Sequence, residues 1–319
     1  MTSNLSDKDV RDAFFDQVYE LARDDKDVVF ITADADAFSL RRFKKDFPER
    51  FINVGVAEQT MVLLAAGLAM CGKNVFIYSI IPFITQRALE HIKVNICSMN
   101  LPVTIVGCGA GLSFGFDGPT HHATQDISAM KSIPGIKILS PSDARSSMLS
   151  AIDAYNSTQP AYVRLDKGKY REIYSENNSI SDGFTVAYPV QKCNIITTGF
   201  MTDRSINIAE RLDRAGIKIG VIDVYRIKPL NIKGIVDLLL DTNKLFIIEE
   251  HSIIGGLCSS VSDMIVDSQI NKSLSVTKIA LPDKQIFEYG DRDWLHSLYG
   301  IDAKTITDTI LSEINNEGV

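Results

Sequence analysis

The class of fold follows from one stretch of the chain, FINVGVAEQTMVLLAAGLAMCGKNVFIYS at residues 51–79. It begins with an apolar run over 51–54, continues with apolar residues at helical spacing over 57–70, and returns to an apolar run over 74–79. A short, continuous apolar run is typical of a strand buried on both faces. Two such strands joined by a helix predict a β–α–β unit with parallel strands.

The same alternation extends on both sides of this unit. Further apolar runs predict strands at 28–32, 102–107, 136–139 and 161–164. Segments with helical periodicity predict helices over 9–23, 83–99 and 144–155. Strands that are apolar throughout and separated by helices imply a parallel sheet covered on both faces.

A polar stretch over 168–183 interrupts the pattern and predicts a linker. Beyond it the alternation resumes, with strands expected at 194–198, 218–224 and 244–249 and helices at 203–215, 231–240 and 256–267. We therefore predict an α/β protein of two doubly wound domains. The larger domain spans residues 1–178 and the smaller one spans residues 179–319.

Composition and charge narrow the class of protein. The chain has 319 residues, 45% of them hydrophobic, and a formal net charge of −7, which argues against general nucleic-acid binding. Its longest apolar run, over 61–71, is shorter than the ~20 residues that cross a bilayer. We expect no signal peptide, because no basic segment precedes an apolar one at the start. Five scattered cysteines without a Cys-x-x-Cys pair fit a reduced, cytoplasmic protein.

Three segments carry residues suited to chemistry. Glu58 lies at the start of a predicted helix, where an acid can simply complement the helix dipole. The loop over 114–126 follows a strand, at the sheet edge where open α/β folds place their sites. It carries His121 and His122, which as neighbours point different ways; a solvated loop, a weak metal site and an active site all stay open. The third segment, 246–257, places two glycines at a helix start, for tight packing or for an anion.

Taken in order, four segments resemble the C-terminal half of a transketolase, and the similarity covers essentially the whole chain. The most specific is Asp117-Gly-Pro-Thr-His121; the others are Val54-Gly-Val-Ala-Glu-Gln59, Phe83-Ile-Thr-Gln-Arg-Ala88 and PGIKILSPSD at 134–143. The resemblance implies a pyrimidine-binding domain followed by a smaller transketolase C-terminal-type domain. It also implies thiamine-diphosphate-dependent transfer of a two-carbon ketol unit from a ketose or ketose phosphate to an aldehyde.

The resemblance assigns three residues to the cofactor. Glu58 would contact the aminopyrimidine ring and shuttle the proton that activates the cofactor, whose own chemistry does the difficult carbanion step. Phe83 would stack on the pyrimidine, and Asp34 would lie near the cofactor.

It also assigns residues to the substrate. Asp117 would hold the hydroxyl next to the donor's reacting carbonyl, and His121 would hydrogen-bond or protonate the oxygen that develops charge. Arg11 and Lys167 fall where transketolases bind the sugar phosphate, although Arg11 also fits a solvated helix face.

The chain departs from the family pattern around the phosphate. Gly109 stands where transketolases carry a histidine, Phe38 stands where they carry a serine, and Lys167 replaces an arginine. Lysine offers a point charge in place of a bidentate fork. The sequence therefore leaves open an acceptor other than the usual sugar phosphate.

The family motif for the diphosphate and its metal, Gly-Asp-Gly followed by Asn, does not occur in the sequence. We therefore expect a second polypeptide to supply that domain, with a divalent metal (Mg or Ca), in an α2β2 assembly. This chain alone would be inactive. His251, in the domain that builds the family's dimer, is expected at an interface, with a catalytic role left open.

Other functions stay open. The β subunit of a 2-oxoacid dehydrogenase or decarboxylase is a pyrimidine-domain chain of this length, but its loop usually lacks Asp-Gly-Pro-Thr-His. A synthase of the deoxyxylulose phosphate type shares Asp-Gly-x-Thr-His, but its chain would include the missing domain. A non-catalytic regulatory partner would have little reason to keep these site residues together.

Overall fold

The computed structural model describes residues 5–175, 180–270 and 273–315. Its strands are β1 (Val28–Thr32), β2 (Phe51–Asn53), β3 (Asn74–Ile80), β4 (Val103–Cys108), β5 (Lys137–Leu139), β6 (Ala161–Leu165), β7 (Thr185–Tyr188), β8 (Cys193–Thr197), β9 (Gly220–Asp223), β10 (Arg226–Lys228), β11 (Lys244–Ser252) and β12 (Ser275–Leu281). Its α-helices are α1 (Val10–Asp24), α2 (Leu40–Asp46), α3 (Glu58–Met70), α4 (Leu89–His91), α5 (Asp126–Lys131), α6 (Ala144–Tyr155), α7 (Phe200–Arg214), α8 (Ile232–Leu239), α9 (Leu257–Ser268), α10 (Arg292–Leu298) and α11 (Ala303–Asn315).

The first sheet has the order β10-β5-β6-β4-β3-β1-β2, and β1 to β6 run parallel. Alternate residues of each strand point to opposite faces. Phe30 and Phe76 pack with Phe14 of α1 on one face, and Ile31 and Ile77 pack with helix α3 on the other. Both faces are therefore covered by helices, and the doubly wound architecture is confirmed.

The second sheet repeats this arrangement with the order β12-β11-β8-β9-β7, in which only β7 is antiparallel. Helices α7 and α11 cover one face, and α8 and α9 cover the other. The expected boundary between residues 178 and 179 lies outside the described residues. Among the described residues, no helix combines the length and apolarity needed to cross a membrane.

The structure differs from the sequence prediction at 83–99, where we expected a regular α-helix. Only Leu89–His91 is α-helical; Phe83–Arg87 and Ile92–Cys97 are wound as wider π-helical turns. The Thr85 hydroxyl donates to the Ile81 carbonyl at 2.7 Å, taking the acceptor that an α-helical N–H would use. The widening lies at the edge of the candidate site, where such turns are frequent.

The two halves of the chain are joined through an edge strand and a buried carboxylate. Strand β10, from beyond the linker, pairs antiparallel with β5 of the first sheet. Asp223, at the end of β9, accepts hydrogen bonds from Ser142 Oγ, Thr202 Oγ1 and Tyr174 Oη, each at 2.6 Å. Burial raises the pKa of Asp223 to about 6, although the three hydroxyls oppose the shift.

This raised pKa predicts a stability that falls as pH rises. The native state binds more protons than the unfolded state between pH ~4 and ~6, so this contribution, roughly 3 kcal/mol, is lost as pH rises through that window. Asp223→Asn should remove this part of the pH dependence. Urea unfolding at a series of pH values measures it, with Asp24→Asn as an exposed control; parallel pH profiles for Asp223→Asn and wild type would contradict the assignment.

Candidate active site

The candidate site lies where parallel strands of the first sheet end at one edge. Strand β4 leads into the loop over 109–126, β3 leads into the π-helical turn that begins at Phe83, and β6 leads into Lys167. Strand β2 is followed by Gly55, at a φ of +71°, which bends the chain into α3. The fold therefore brings four separate segments of the sequence to one edge, as expected for an α/β site.

Glu58 is the first residue of α3 and is 1% exposed. Its Oε1 accepts a hydrogen bond from Ser79 Oγ at 3.0 Å, and its Oε2 accepts one from Arg87 Nη1 at 2.7 Å. A carboxylate that only complemented the helix dipole would stay in water, because burying a charge is costly without such partners. Glu58 is therefore buried with a hydrogen-bond donor on each of its two carboxylate oxygens.

Phe83 and His121 lie next to this carboxylate, joined to it through Arg87. The Arg87 guanidinium lies 4.4 Å from the centroid of the Phe83 ring. The His121 ring meets Phe83 edge-on, with centroids 5.1 Å apart and planes at 72°. Glu58, Arg87, Phe83 and His121 therefore form one continuous chain of contacts.

The two histidines of the loop diverge as expected. His121 is half-buried, and its Nδ1 lies 3.0 Å from the Thr120 hydroxyl, so Nε2 is the nitrogen available to a ligand. His122 is buried, and burial lowers its pKa. Asp117 lies four residues before His121 with its carboxylate in solvent, directly before Gly118, which has a φ of +80°. The loop thus presents His121 and Asp117, not His122.

Asp34 lies at the same sheet edge but belongs to a different contact group. It is exposed, has a φ of 56°, and exchanges two hydrogen bonds with the side chain of Asn53, at 3.1 and 3.2 Å. These bonds hold the ends of β1 and β2 together. The hydrogen bonds of Asp34 go to Asn53 and not to the Glu58 group, and its place near the cofactor stays a prediction.

The two basic residues expected at a phosphate have different surroundings. Arg11 is not on a solvated face: its side chain is 13% exposed and lies 3.4 Å from the Asp12 carboxylate. Lys167 is exposed, with its Nζ 5.8 Å from the centroid of the Phe114 ring. The solvated-face interpretation of Arg11 is therefore wrong, because α1 buries this part of its surface.

Sequence reasoning missed Arg87, the residue that pairs with Glu58. The motif in this segment points to Phe83 and not to Arg87. The available signal was a basic residue one helical turn beyond the stacking aromatic, because a buried acid nearby needs a cation. The side chain is 42% exposed, so Arg87 is only partly withdrawn from water.

Residues of the second domain contact the loop over 109–126. Glu250 accepts hydrogen bonds from the Leu112 N–H at 3.2 Å, from Arg292 Nε at 2.9 Å and from His296 Nε2. Burial opposes ionisation of Glu250, but Arg292 and His296 outweigh it and hold its pKa well below the usual range. Arg292 also donates to Asp166 at 2.7 Å, beside Lys167. This ion-pair group connects the second domain to two strand ends of the first.

The glycine pair of the third segment serves packing. A Cβ at Gly256 would lie 2.3 Å from Glu249 Oε2, and Glu249 itself caps α9 through the N–H groups of Leu257 and Cys258, both at 2.7 Å. His251 is fully buried, with Nε2 3.4 Å from Ser128 Oγ of the first domain. Within residues 5–175, 180–270 and 273–315, no group of three or more His, Cys, Asp or Glu is arranged to hold a metal ion.

Residues 6–172 match the family described as "Transketolase, pyrimidine binding domain", and residues 188–306 match "Transketolase, C-terminal domain". The chain belongs to the transketolase family. The resemblance stated from the sequence and the order of the two kinds of domain are therefore confirmed.

Relatives of this transketolase-family chain include separate subunits and longer single chains. It is 31% identical to an apulose-4-phosphate transketolase subunit of Phocaeicola vulgatus, over 94% of this chain and 96% of that protein. It is 32% identical to the 1-deoxy-D-xylulose-5-phosphate synthase of Halothermothrix orenii, covering 95% of this chain but 48% of that protein. A solved structure described as "Split gene transketolase, inactive beta4 tetramer" matches with a TM-score of 0.84 and 29% identity, over 95% of this chain and 97% of that one.

The Glu250 contacts predict a large stability cost on truncation. Glu250→Ala should lower the free energy of unfolding by about 3–5 kcal/mol, because Arg292 would be left buried without one of its two carboxylates. Urea unfolding measures the change, with Glu49→Ala as an exposed control. A loss equal to that of the control would show that the group does not support the loop.

Proposed function

We propose that this chain is the pyrimidine-binding subunit of a two-chain, thiamine-diphosphate-dependent transketolase. It transfers a two-carbon ketol unit from a ketose or ketose phosphate to an aldehyde acceptor. The observation that supports this most is the buried Glu58 carboxylate, held by Ser79 and Arg87 beside an aromatic ring and a histidine.

The residues present fit the cofactor's aminopyrimidine. A buried carboxylate suits a ring nitrogen that must gain and lose a proton, and a half-buried aromatic ring suits a flat heterocycle. In this proposal Glu58 binds the ring nitrogen and Phe83 stacks on the ring, with Asp34 near the cofactor. When bound, thiamine diphosphate supplies the electron sink for the carbon–carbon bond that breaks and re-forms.

Ser79 and Arg87 give Glu58 a fixed orientation. Each donates to a different carboxylate oxygen, so rotation of the group would break both hydrogen bonds. Arg87 is in turn stacked on Phe83, which ties the orientation of the acid to that of the ring. Preorganised groups of this kind lose no orientational freedom at the moment of proton transfer.

His121 and Asp117 act on the substrate in this proposal. The donor loses the bond between its carbons 2 and 3, and the acceptor gains the equivalent bond at its aldehyde carbon. The donor's C3 hydroxyl gives up a proton, and the acceptor's aldehyde oxygen takes one. His121, through Nε2, can serve both transfers, while Asp117 accepts a hydrogen bond from a donor hydroxyl. Arg11 and Lys167 are assigned to the far end of the substrate.

The diphosphate and its divalent metal (Mg or Ca) belong in this proposal to a partner chain. The sequence lacks Gly-Asp-Gly followed by Asn, and relatives such as the apulose-4-phosphate enzyme are named as subunits. We propose an α2β2 assembly with the cofactor between unlike chains, in the cytoplasm. A domain boundary near residue 178 and an interface position for His251 are part of the same proposal.

Replacing Glu58 tests the catalytic role. In the reconstituted two-chain complex, Glu58→Gln should slow hydrogen–deuterium exchange at thiamine C2 by at least about a hundredfold, because the amide cannot shuttle the proton. Glu90→Gln, at an exposed acid of the neighbouring segment, is the matched control. Unchanged exchange in Glu58→Gln would favour a regulatory chain, and transfer by the highly purified single chain would remove the need for a partner.

Replacing Arg87 tests the orientation of Glu58. Arg87→Met keeps the contact with the Phe83 ring but leaves Glu58 with one donor, so C2 exchange should slow about tenfold or more. Lys93→Met, at an exposed cation in the same segment, controls for loss of charge. Equal exchange rates in the two variants would show that Ser79 alone orients the carboxylate.

A further inference from the structure

The loop that carries His121 is anchored just beyond its two histidines. The N–H of Ala123 donates to the Gly111 carbonyl at 2.8 Å, which bridges the two ends of the loop. The Thr124 carbonyl accepts a hydrogen bond from the N–H of Ser252, in β11 of the second domain, at 2.8 Å. Because His121 lies two residues before Ala123, the placement of its ring depends on how firmly this anchor is held.

The buried side chain of Arg164, in β6, reaches this anchor from the first sheet. Its Nη2 donates to the Ala123 carbonyl at 3.2 Å and to the Glu250 carbonyl at 3.3 Å. Its Nε donates to Oδ2 of Asp126, the first residue of α5, at 2.8 Å. One guanidinium therefore binds three acceptors, which belong to the loop, to the helix that follows it and to the second domain.

Asp126 and Tyr162 fix the orientation of Arg164. Asp126 is buried, and its Oδ2 also accepts a hydrogen bond from the Tyr162 hydroxyl at 2.7 Å. Burial raises the pKa of Tyr162 well above its usual range, so this hydroxyl remains a donor. The other carboxylate oxygen, Oδ1, has no hydrogen-bond donor among the described residues. A buried ion pair that leaves an acceptor unmet is costlier than apolar packing, which favours a geometric role over a stabilising one.

The contacts of Arg164 are separate from those that hold Glu58. The hydrogen bonds of the Glu58 carboxylate come from Ser79 and Arg87. The acceptors of Arg164 belong instead to the segment that follows His121 and to the second domain. A change at Arg164 should therefore displace His121 and leave the Glu58 carboxylate in place.

We infer that Arg164 is a positioning residue for ketol transfer, because it fixes the Ala123 carbonyl and thereby the place of His121 in the cleft. Arginine suits this role, since its planar guanidinium donates in several fixed directions at once, whereas a lysine ammonium is a point donor on a flexible stem. The hydrogen bond to the Glu250 carbonyl ties the second domain to the same anchor. The inference rests on the proposed function and adds to it a residue that acts through the loop.

Arg164→Lys tests this role in the reconstituted complex with thiamine diphosphate and magnesium. Two rates are compared: hydrogen–deuterium exchange at thiamine C2, which reports on Glu58, and ketol transfer from hydroxypyruvate to D-glyceraldehyde 3-phosphate. We expect kcat for transfer to fall about tenfold and exchange to stay within about twofold of wild type, because displacing one group slows the step in which it takes part. Unchanged transfer, or equal losses in both rates, would overturn the inference; absence of exchange in wild type would overturn the proposed function instead.

A double-mutant cycle tests whether Arg164 acts through His121. In a His121→Ala background, Arg164→Lys should lower kcat for transfer by less than about twofold, because the group that it positions is already gone. Arg171→Lys, at an arginine that pairs with Asp203 and Glu210 of α7, is the matched control and should leave both rates unchanged. A further loss of about tenfold in the His121→Ala background would overturn the inference.

A neutral pair provides a second test that does not depend on the stability of the lysine variant. Arg164→Gln combined with Asp126→Asn leaves no unpaired charge in the interior, so the chain should fold, and urea unfolding checks this. A glutamine amide spans fewer acceptors than a guanidinium, so transfer should again fall about tenfold while C2 exchange is unchanged. Full transfer activity in this folded variant would overturn the positioning role.

Discussion

A carboxylate withdrawn from water must find donors within the protein, and the candidate site is arranged around that requirement. Glu58 is held at the start of α3, so its partners must come from other segments: Ser79 from the end of β3 and Arg87 from the π-helical turn that follows. Arg87 then fixes the plane of Phe83, and Phe83 supports His121. One buried charge is therefore connected, through Arg87, to an aromatic ring and a histidine.

The second domain contributes to this site without entering it. Glu250 and Arg292 connect Leu112, in the loop that carries His121, with Asp166, beside Lys167. Buried ion pairs add little net stability compared with apolar packing, but they tolerate few alternative geometries. Their value here is geometric, because they hold two strand ends of the first sheet against one helix of the second domain.

Much of the fold could be predicted from the sequence, because strands buried on both faces leave apolar runs such as 28–32 and 244–249. The edge strand β10 could not be predicted, because its three residues include only one buried side chain and therefore form no apolar run. Glu58, Phe83 and His121 could be proposed from short motifs, whereas their mutual contacts depend on tertiary structure. Arg87 lies 29 residues from its partner, and Glu250 lies 138 residues from Leu112. Propensity and periodicity do not extend over such distances.

Strand β10 also bears on how such a chain can be divided in evolution. Cutting at the polar linker would leave the first sheet without its last strand and would expose the backbone N–H and C=O groups of β5 to pairing with other molecules. A gene split at this point would therefore yield an aggregation-prone product. The pairing of β10 with β5 thus favours keeping the pyrimidine-binding and C-terminal domains on one polypeptide.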